Sequence, residues 1–201
     1  MTVRLMLTCL CDAFYGEVGI ATVQVLQSVG CRVEFPDDQT CCGQPPFNAG
    51  DWAASRRIAE HCRKVFDLEN PDSIVVTPSS SCAAMVREGY RMLFPERAIA
   101  ARVFELGEFL VNRCGLDHWP GTGWKTPTTA AYHRACHGRG IHMHDEHERL
   151  LGSIANLTWL PIPQPEQCCG FGGAFSATHT EISTDIGKDK LFQVEATGAE
   201  L

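Results

Sequence analysis

Cys168-Cys169-Gly170-Phe171-Gly172-Gly173 is the stretch of this 201-residue chain that decides its fold. The triplet Cys-Cys-Gly also occurs at Cys41-Cys42-Gly43, 127 positions earlier, and the same shift carries Cys9 onto Cys136. In both halves, 31 residues separate the lone cysteine from the pair. A lone cysteine that repeats at the same distance from a repeated triplet indicates an internal duplication, so we expect two related modules.

The composition is that of a globular protein, with 44% hydrophobic and 20% charged residues. The 24 acidic residues outnumber the 17 basic ones, the net charge is -7, and no basic stripe is present. This balance argues against nucleic acid or an anionic membrane as a partner. No stretch approaches the roughly 18 continuous apolar residues of a membrane span, and the start of the chain lacks the features of a signal peptide. We therefore expect a cytoplasmic protein with no membrane span.

The chain contains 11 cysteines, an odd number. Disulfides do not persist in a reducing compartment, so many cysteines in a cytoplasmic protein indicate metal ligation or redox chemistry. We interpret the repeated cysteines as ligands of a metal centre.

Strands and helices are predicted to alternate in both halves, from the periods of their apolar residues. The predicted strands are 3–8, 31–35, 73–77, 130–134 and 157–161. The predicted helices are 17–29, one capped by Asp51, one that follows the turn ending at Cys82, 102–114, 145–154 and 181–196. Alternation of this kind is typical of right-handed parallel connections. The predicted fold class is α/β, with two tandem duplicated modules that each form an open parallel, Rossmann-like sheet.

The pattern is interrupted at residues 117–128, which are rich in Gly, Pro, Thr and Trp. We interpret this segment as a linker. The predicted domains are module one at residues 1–116 and module two at residues 129–201.

The repeated cysteines fall at the carboxyl ends of predicted strands, where open α/β sheets bind their ligands. The candidate cofactor and metal ligands are Cys9, Cys41, Cys42 and Cys82 in module one and Cys136, Cys168 and Cys169 in module two. Four thiolates are the ligand set of an iron-sulfur cluster. They also suit structural zinc, although the paired cysteines lack the Cys-x-x-Cys spacing of zinc ribbons.

The other cysteines are assigned differently. Each of Cys31, Cys62 and Cys114 lies on an apolar stripe of a predicted element, where a free thiol packs as a small hydrophobic group. Cys11 is two residues from Cys9 in a predicted loop and would point elsewhere if the chain there is extended. It is interpreted as a spare thiol or as a neighbour of the ligands.

Two histidines, His133 and His137, flank the candidate ligand Cys136. They are expected to donate hydrogen bonds to cluster sulfur or to complete a coordination shell. No Ser-His-acid arrangement and no carboxylate pair is recognisable, so no catalytic residue is predicted. The glycines at 170–173 match neither a dinucleotide fingerprint nor a Walker loop, and we expect them to let backbone approach a cluster closely.

The chain resembles the cysteine-rich CCG-domain family of iron-sulfur proteins, which includes subunits of heterodisulfide reductase and glycolate oxidase, and is most similar to its lactate-utilisation branch. The resemblance rests on motifs spread over nearly the whole chain: Thr8-Cys9-Leu10, Gln39-Thr40-Cys41-Cys42-Gly43-Gln44-Pro45, Pro78-Ser79-Ser80-Ser81-Cys82, Tyr132-His133-Arg134-Ala135-Cys136-His137, Cys168-Cys169-Gly170-Phe171-Gly172-Gly173 and Thr197-Gly198-Ala199. It implies an electron-transfer subunit that carries one or two [4Fe-4S] clusters. Its partners would be the other subunits of a complex that oxidises L-lactate or a related 2-hydroxy acid, including a ferredoxin-like dehydrogenase subunit.

The chain departs from the family pattern at two places. Met85 stands where the full motif has the second cysteine of a Cys-x-x-Cys, which disfavours a five-cysteine cluster and leaves four ligands for an ordinary [4Fe-4S] centre. Cys82, carried forward by 127 positions, falls at 209, beyond Leu201. We expect either a C-terminally incomplete module two with a cysteine near 209, or an open position filled by histidine, water or a partner.

Two alternative functions stay open at this point. One is a zinc-bound structural or assembly protein that carries no electrons. The other is a disulfide reductase subunit of the heterodisulfide reductase type, in which a cluster acts directly on disulfide sulfur.

Overall fold

The computed structural model describes all 201 residues, and the chain divides into two compact units, Met1–Cys114 and Gly115–Leu201. Each unit contains its own parallel sheet, of four strands in the first and two in the second. The predicted fold class, α/β with two tandem parallel-sheet modules, is confirmed. No helix combines the length and the apolar character needed to cross a bilayer.

The sheet of the first unit has the strand order β2-β1-β3-β4. The strands are β1 (Thr2–Leu5), β2 (Arg32–Glu34), β3 (Ile74–Thr77) and β4 (Arg102–Glu105). All neighbouring pairs are parallel, with Arg4 opposite both Glu34 and Val75. Successive β3 residues face opposite sides of the sheet, so Val75 packs into one apolar cluster and Ile74 and Val76 into another.

Helices connect these strands and cover the sheet. They are α1 (Cys9–Phe14), α2 (Gly16–Ser28), α3 (Gln44–Asn48), α4 (Trp52–Val65), α5 (Ser80–Ala84), α6 (Tyr90–Leu93) and α7 (Leu106–Glu108). One π-helical turn, Met85–Gly89, joins α5 to α6, and another, Phe109–Arg113, continues α7. As predicted, Asp51 caps α4, accepting a hydrogen bond from the Ala54 amide at 2.9 Å.

The predicted helix 102–114 is wrong over its first four residues. Arg102–Glu105 form β4, which pairs in parallel with β3 and alternates between exposed and more buried residues. The helix begins only after Glu105, whose side chain accepts hydrogen bonds from the amides of Gly107 and Glu108. Glu108 in turn accepts from the Glu105 amide, which completes a capping box. The helical period of Val103, Gly107 and Leu110 concealed this strand-to-helix junction.

The second unit repeats the plan on a smaller scale. Its strands β5 (Thr128–Ala131) and β6 (Leu157–Leu160) pair in parallel. Its helices are α8 (Cys136–Gly140), α9 (Glu146–Gly152), α10 (Ala174–Thr178) and α11 (Thr180–Glu195). On the other edge of β5, the Leu201 amide donates to the Thr129 carbonyl at 3.1 Å, and the Leu201 carbonyl accepts from the Ala131 amide at 2.8 Å.

The segment predicted as a linker, 117–128, has no regular secondary structure before β5 begins at Thr128. It is nevertheless fastened within the second unit. The Trp119 amide donates to the Ser153 hydroxyl at 2.7 Å, and the Trp124 amide donates to the Ala155 carbonyl at 2.8 Å.

Candidate metal centre

The cysteines of the first unit lie at the point where the order of the sheet reverses. β1 is followed along the chain by β2 on one side, and the chain then returns to place β3 on the other. Open α/β sheets bind ligands in the crevice beyond the carboxyl ends of such strands. Cys9 follows β1 by four residues and Cys82 follows β3 by five, so both approach this crevice.

Two capped helix starts hold these cysteines. Thr8 caps α1, accepting from the Cys11 amide at 3.1 Å, so Cys9 is the first residue of a short helix. The expected loop at residues 9–12 is therefore a helical turn, which directs Cys11 away from Cys9. Ser79 caps α5 in the same way, accepting from the Cys82 amide at 3.3 Å.

A tight turn presents the adjacent pair Cys41-Cys42. Gly43 has a φ of 87°, in the left-handed region that favours glycine, and its amide donates to Cys41 Sγ at 3.4 Å. Its carbonyl accepts from the Ser55 hydroxyl of α4 at 2.8 Å. An added Cβ at residue 43 would lie 3.1 Å from the Ser55 carbonyl oxygen, so glycine also permits the close approach to α4.

The four candidate ligands of the first unit, which we call the first cysteine site (Cys9, Cys41, Cys42 and Cys82), form a chain of neighbouring thiols. Cys42 Sγ and Cys82 Sγ are 3.4 Å apart. The Cys41 thiol is close enough to those of Cys9 and Cys42 for each of them to shift its pKa. The chain thus brings together thiols from three separate segments of sequence.

Crowding and burial disfavour the ionisation of Cys9, Cys41 and Cys42 in the metal-free protein. Burial, followed by the Cys41 thiol, raises the pKa of Cys9. The neighbouring Cys42 thiol, followed by burial, raises the pKa of Cys41. The Cys41 thiol lowers the pKa of Cys42, but Cys82 and burial outweigh it and raise that pKa. A metal that binds here must displace protons, which couples its affinity to pH.

Two buried residues, Tyr90 and Cys62, contact the cysteine pair of the first cysteine site. The buried Tyr90 hydroxyl donates to the Cys42 carbonyl at 2.9 Å and lies beside the Cys62 thiol. Cys62 is 2% exposed, and burial raises its pKa to about 11, with Tyr90 lowering and Cys41 raising it. Cys62 is therefore core, as predicted, but it is also a neighbour of Cys41. Neither contact was predictable from sequence, because the partners lie 21 or more residues apart.

Gln39 joins the segment before Cys41 to the segment between β1 and Cys9. Its side-chain oxygen accepts from the Leu7 amide at 2.8 Å, and its nitrogen donates to the Leu5 carbonyl at 3.3 Å. It also lines a cavity of about 300 Å³ beside Cys9, together with two carboxylates, Asp12 and Asp37. The surroundings of Cys9 are therefore acidic.

The turn of the second unit repeats that of the first. Gly170 has a φ of 82°, its amide donates to Cys168 Sγ at 3.3 Å, and its carbonyl accepts from the Ser183 hydroxyl of α11 at 2.9 Å. A Cβ at residue 170 would clash with the Ser183 carbonyl oxygen. The duplication therefore extends to the contact that fixes the turn against its helix.

The second cysteine site (Cys136, Cys168 and Cys169) is more open. All three cysteines are exposed, and no thiol–thiol hydrogen bond joins them. Cys136 begins α8, and its Sγ lies 3.7 Å from His137 Nδ1. His133 Nδ1 is buried without a hydrogen-bond partner, and burial, followed by the charges of Lys190 and Arg139, lowers the pKa of His133.

The donor set tests whether these residues fit a metal cofactor. No group of three or more His, Cys, Asp or Glu side chains has the geometry of a preformed site for a metal ion. The first cysteine site nevertheless offers four soft thiols, with a 3.4 Å contact between two of them. Soft thiolates select iron-sulfur clusters or zinc. The residues of the first cysteine site therefore fit such a group.

The fold and the repeated cysteine turn define a cysteine-rich domain protein. The family model described as "Cysteine-rich domain" (CCG) matches residues 3–87 and 130–201, one match in each unit. The chain belongs to this family, as the sequence motifs predicted.

Its curated relatives carry a more specific name. The chain is 39% identical over 209 residues to "Lactate utilization protein A" of Bacillus pumilus (strain SAFR-032), covering 100% of this chain and 85% of that protein. It is likewise 39% identical over 209 residues to the protein of that name from Geobacillus kaustophilus (strain HTA426), covering 84% of it. It is 36% identical over 210 residues to "Lactate utilization protein A 2" of Bacillus cereus (strain Q1), covering 84% of it. The resemblance to the lactate-utilisation branch is thereby confirmed.

Proposed function

We propose that this chain is the iron-sulfur electron-transfer subunit of a cytoplasmic complex that oxidises L-lactate to pyruvate. The observation that carries the proposal is the convergence of four thiols, with Cys42 Sγ and Cys82 Sγ 3.4 Å apart at the crevice between β1 and β3. The names of its relatives support the substrate, since they are lactate utilization proteins.

The first cysteine site would hold a [4Fe-4S] cluster through its four thiolates, and the second cysteine site would hold a further centre through Cys136, Cys168 and Cys169. When bound, such a cluster supplies one-electron transfer at a potential that the surrounding charges and hydrogen bonds set. The protein contributes ligands, burial and hydrogen bonds to sulfur, such as those from the Gly43 and Gly170 amides.

Oxidation of the hydroxy acid itself is assigned to a partner subunit. The cavity beside Cys9 carries the carboxylates of Asp12 and Asp37, which repel the carboxylate of lactate. No arginine or lysine lines it. We propose that a ferredoxin-like dehydrogenase subunit binds the substrate and passes electrons to this chain.

The proposal is tested in the organism that carries the gene. A chromosomal Cys82→Ser replacement is expected to abolish growth on L-lactate as the sole carbon source and to leave growth on pyruvate intact. Cys114→Ser is the matched control, because Cys114 is partly buried beside Cys31 in the other apolar cluster. The Cys114→Ser strain is expected to grow on both L-lactate and pyruvate. Undiminished growth of the Cys82→Ser strain on L-lactate would contradict the proposal.

A further inference from the structure

The two units carry different residues at one equivalent position beside their cysteine pairs. Ser55 is the fourth residue of α4 and Ser183 is the fourth residue of α11, and each donates to the glycine carbonyl of its Cys-Cys-Gly turn. Seven residues after each serine, two turns along the same helix face, stand Cys62 and Lys190. The structural repeat thus aligns a thiol with an ammonium group.

Both side chains are buried and lie beside the cysteine pair of their unit. Cys62 is a neighbour of Cys41, and Lys190 interacts with the charge of Cys169. Lys190 is only 5% exposed. Its Nζ donates to the Gln164 carbonyl at 2.8 Å and to the Pro165 carbonyl at 3.5 Å, both in the loop that leads to Cys168.

Lys190 has no acidic partner. Its hydrogen-bond acceptors are backbone carbonyls, it makes no ion pair with a carboxylate, and the nearby charged side chain of Arg139 has the same sign. A buried cation is costly unless an anion compensates it. The anionic group within its reach is the Cys169 thiolate, which the second cysteine site would present to a metal centre.

We propose that Lys190 is the counter-cation of the second cysteine site and raises the reduction potential of the centre bound there. Reduction adds one electron, supplied by the dehydrogenase partner, and makes the centre more negative. A fixed positive charge beside it stabilises the reduced form more than the oxidised form. The first cysteine site has the neutral Cys62 at the equivalent position and lacks this contribution. The inference rests on the proposed function, since it requires a redox-active centre.

The test is an anaerobic redox titration, followed by electron paramagnetic resonance, of the full chain reconstituted with iron and sulfide. A Cys82→Ser background removes the centre of the first cysteine site, so the remaining signal belongs to the second. Lys190→Met is expected to lower the one-electron reduction equilibrium constant roughly tenfold, which is about 59 mV. The titration uses dithionite as the electron donor.

Two variants separate the charge from the packing. Lys190→Arg keeps the charge and is expected to keep the potential. Lys188→Met removes an exposed lysine of the same helix, whose Nζ lies 3.2 Å from an Asp185 oxygen, and is expected to have no effect. If Lys190→Met loses the centre and Lys190→Arg keeps it, the centre requires the charge, which supports the inference.

The inference is overturned if Lys190→Met and wild type have equal potentials, or if Lys190→Met and Lys190→Arg both lose the centre. It is also overturned if the Cys82→Ser background binds no iron and sulfide. If the wild-type chain binds a cluster in that case, the proposed function still stands. Absence of iron and sulfide from the wild-type chain is the separate result that contradicts the proposed function itself.

Discussion

Cys42 and Cys82 make the closest contact between sulfur atoms at the first cysteine site, at 3.4 Å between residues 40 positions apart. Both are buried, at 6% and 7% exposed. Buried thiols in contact could be packing alone, since free cysteine behaves as a small hydrophobic group. The partly buried Cys41 and the exposed Cys9, which continue the chain of thiols toward solvent, favour a ligand site over packing.

Tyr90 is predicted to stabilise this arrangement through its hydroxyl group. Tyr90→Phe removes the 2.9 Å hydrogen bond to the Cys42 carbonyl and leaves a buried acceptor without its donor. We expect the free energy of unfolding of the metal-free protein to fall by about 1–3 kcal/mol, measured by urea denaturation. Tyr15→Phe, at a residue 57% exposed, is the control and is expected to change it by less than about 0.5 kcal/mol. Equal changes in both variants would contradict the role given to Tyr90.

The candidate ligands could be predicted from sequence because their cysteines repeat at fixed spacing, a signal that does not depend on the fold. Cys62, Tyr90 and Lys190 carry no such signal. Each occupies a buried helix position that periodicity assigns to the core, and its neighbours come from distant segments. The equivalence of Cys62 and Lys190 was also hidden, because the serines that align them are 128 positions apart and the repeat offset is 127.

Among the elements, the Cys-Cys-Gly turn is predicted to depend on glycine for two separate reasons. Gly43 and Gly50 both have positive φ, 87° and 81°, so alanine at either position costs about 1–2 kcal/mol in backbone conformation. Only at residue 43 would the added Cβ meet α4, 3.1 Å from the Ser55 carbonyl oxygen, whereas nothing lies within 4 Å at residue 50.

We therefore expect Gly43→Ala to lower the free energy of unfolding by about 1 kcal/mol more than Gly50→Ala does, because overpacking adds to the conformational cost. Thermal or urea denaturation of the two variants measures the difference. The same loss in both would show that the turn needs only the backbone freedom of glycine and that its approach to α4 is not tight.

The strands and helices were predictable to the extent that one period governed each segment. β3 and α4 each have a single clear pattern: β3 was predicted within one residue, and the start of α4 at its Asp51 cap is confirmed. The region 102–114 changes from strand to helix within one apolar pattern, so a single helix was predicted there. α1 was missed because its six residues are too few to show a helical period, and its start depends on the Thr8 cap.

At the scale of the whole molecule, the duplication has produced two units with unequal cysteine sites. The first surrounds its cysteines with apolar core and carries an acidic cavity beside Cys9. The second exposes its cysteines and places Lys190 beside them. Burial and nearby charge set the reduction potential of a cluster, so we expect the clusters bound at the two sites to have different reduction potentials.

The central claim is that the first cysteine site holds an iron-sulfur cluster, and the most direct measurement is metal and acid-labile sulfide analysis of the full chain purified without oxygen. We predict iron and sulfide in equal amounts, about four of each per cluster, and their loss at the first cysteine site in Cys82→Ser but not in Cys114→Ser. Stoichiometric zinc without acid-labile sulfide in the wild-type chain would contradict the account and favour a structural metal site.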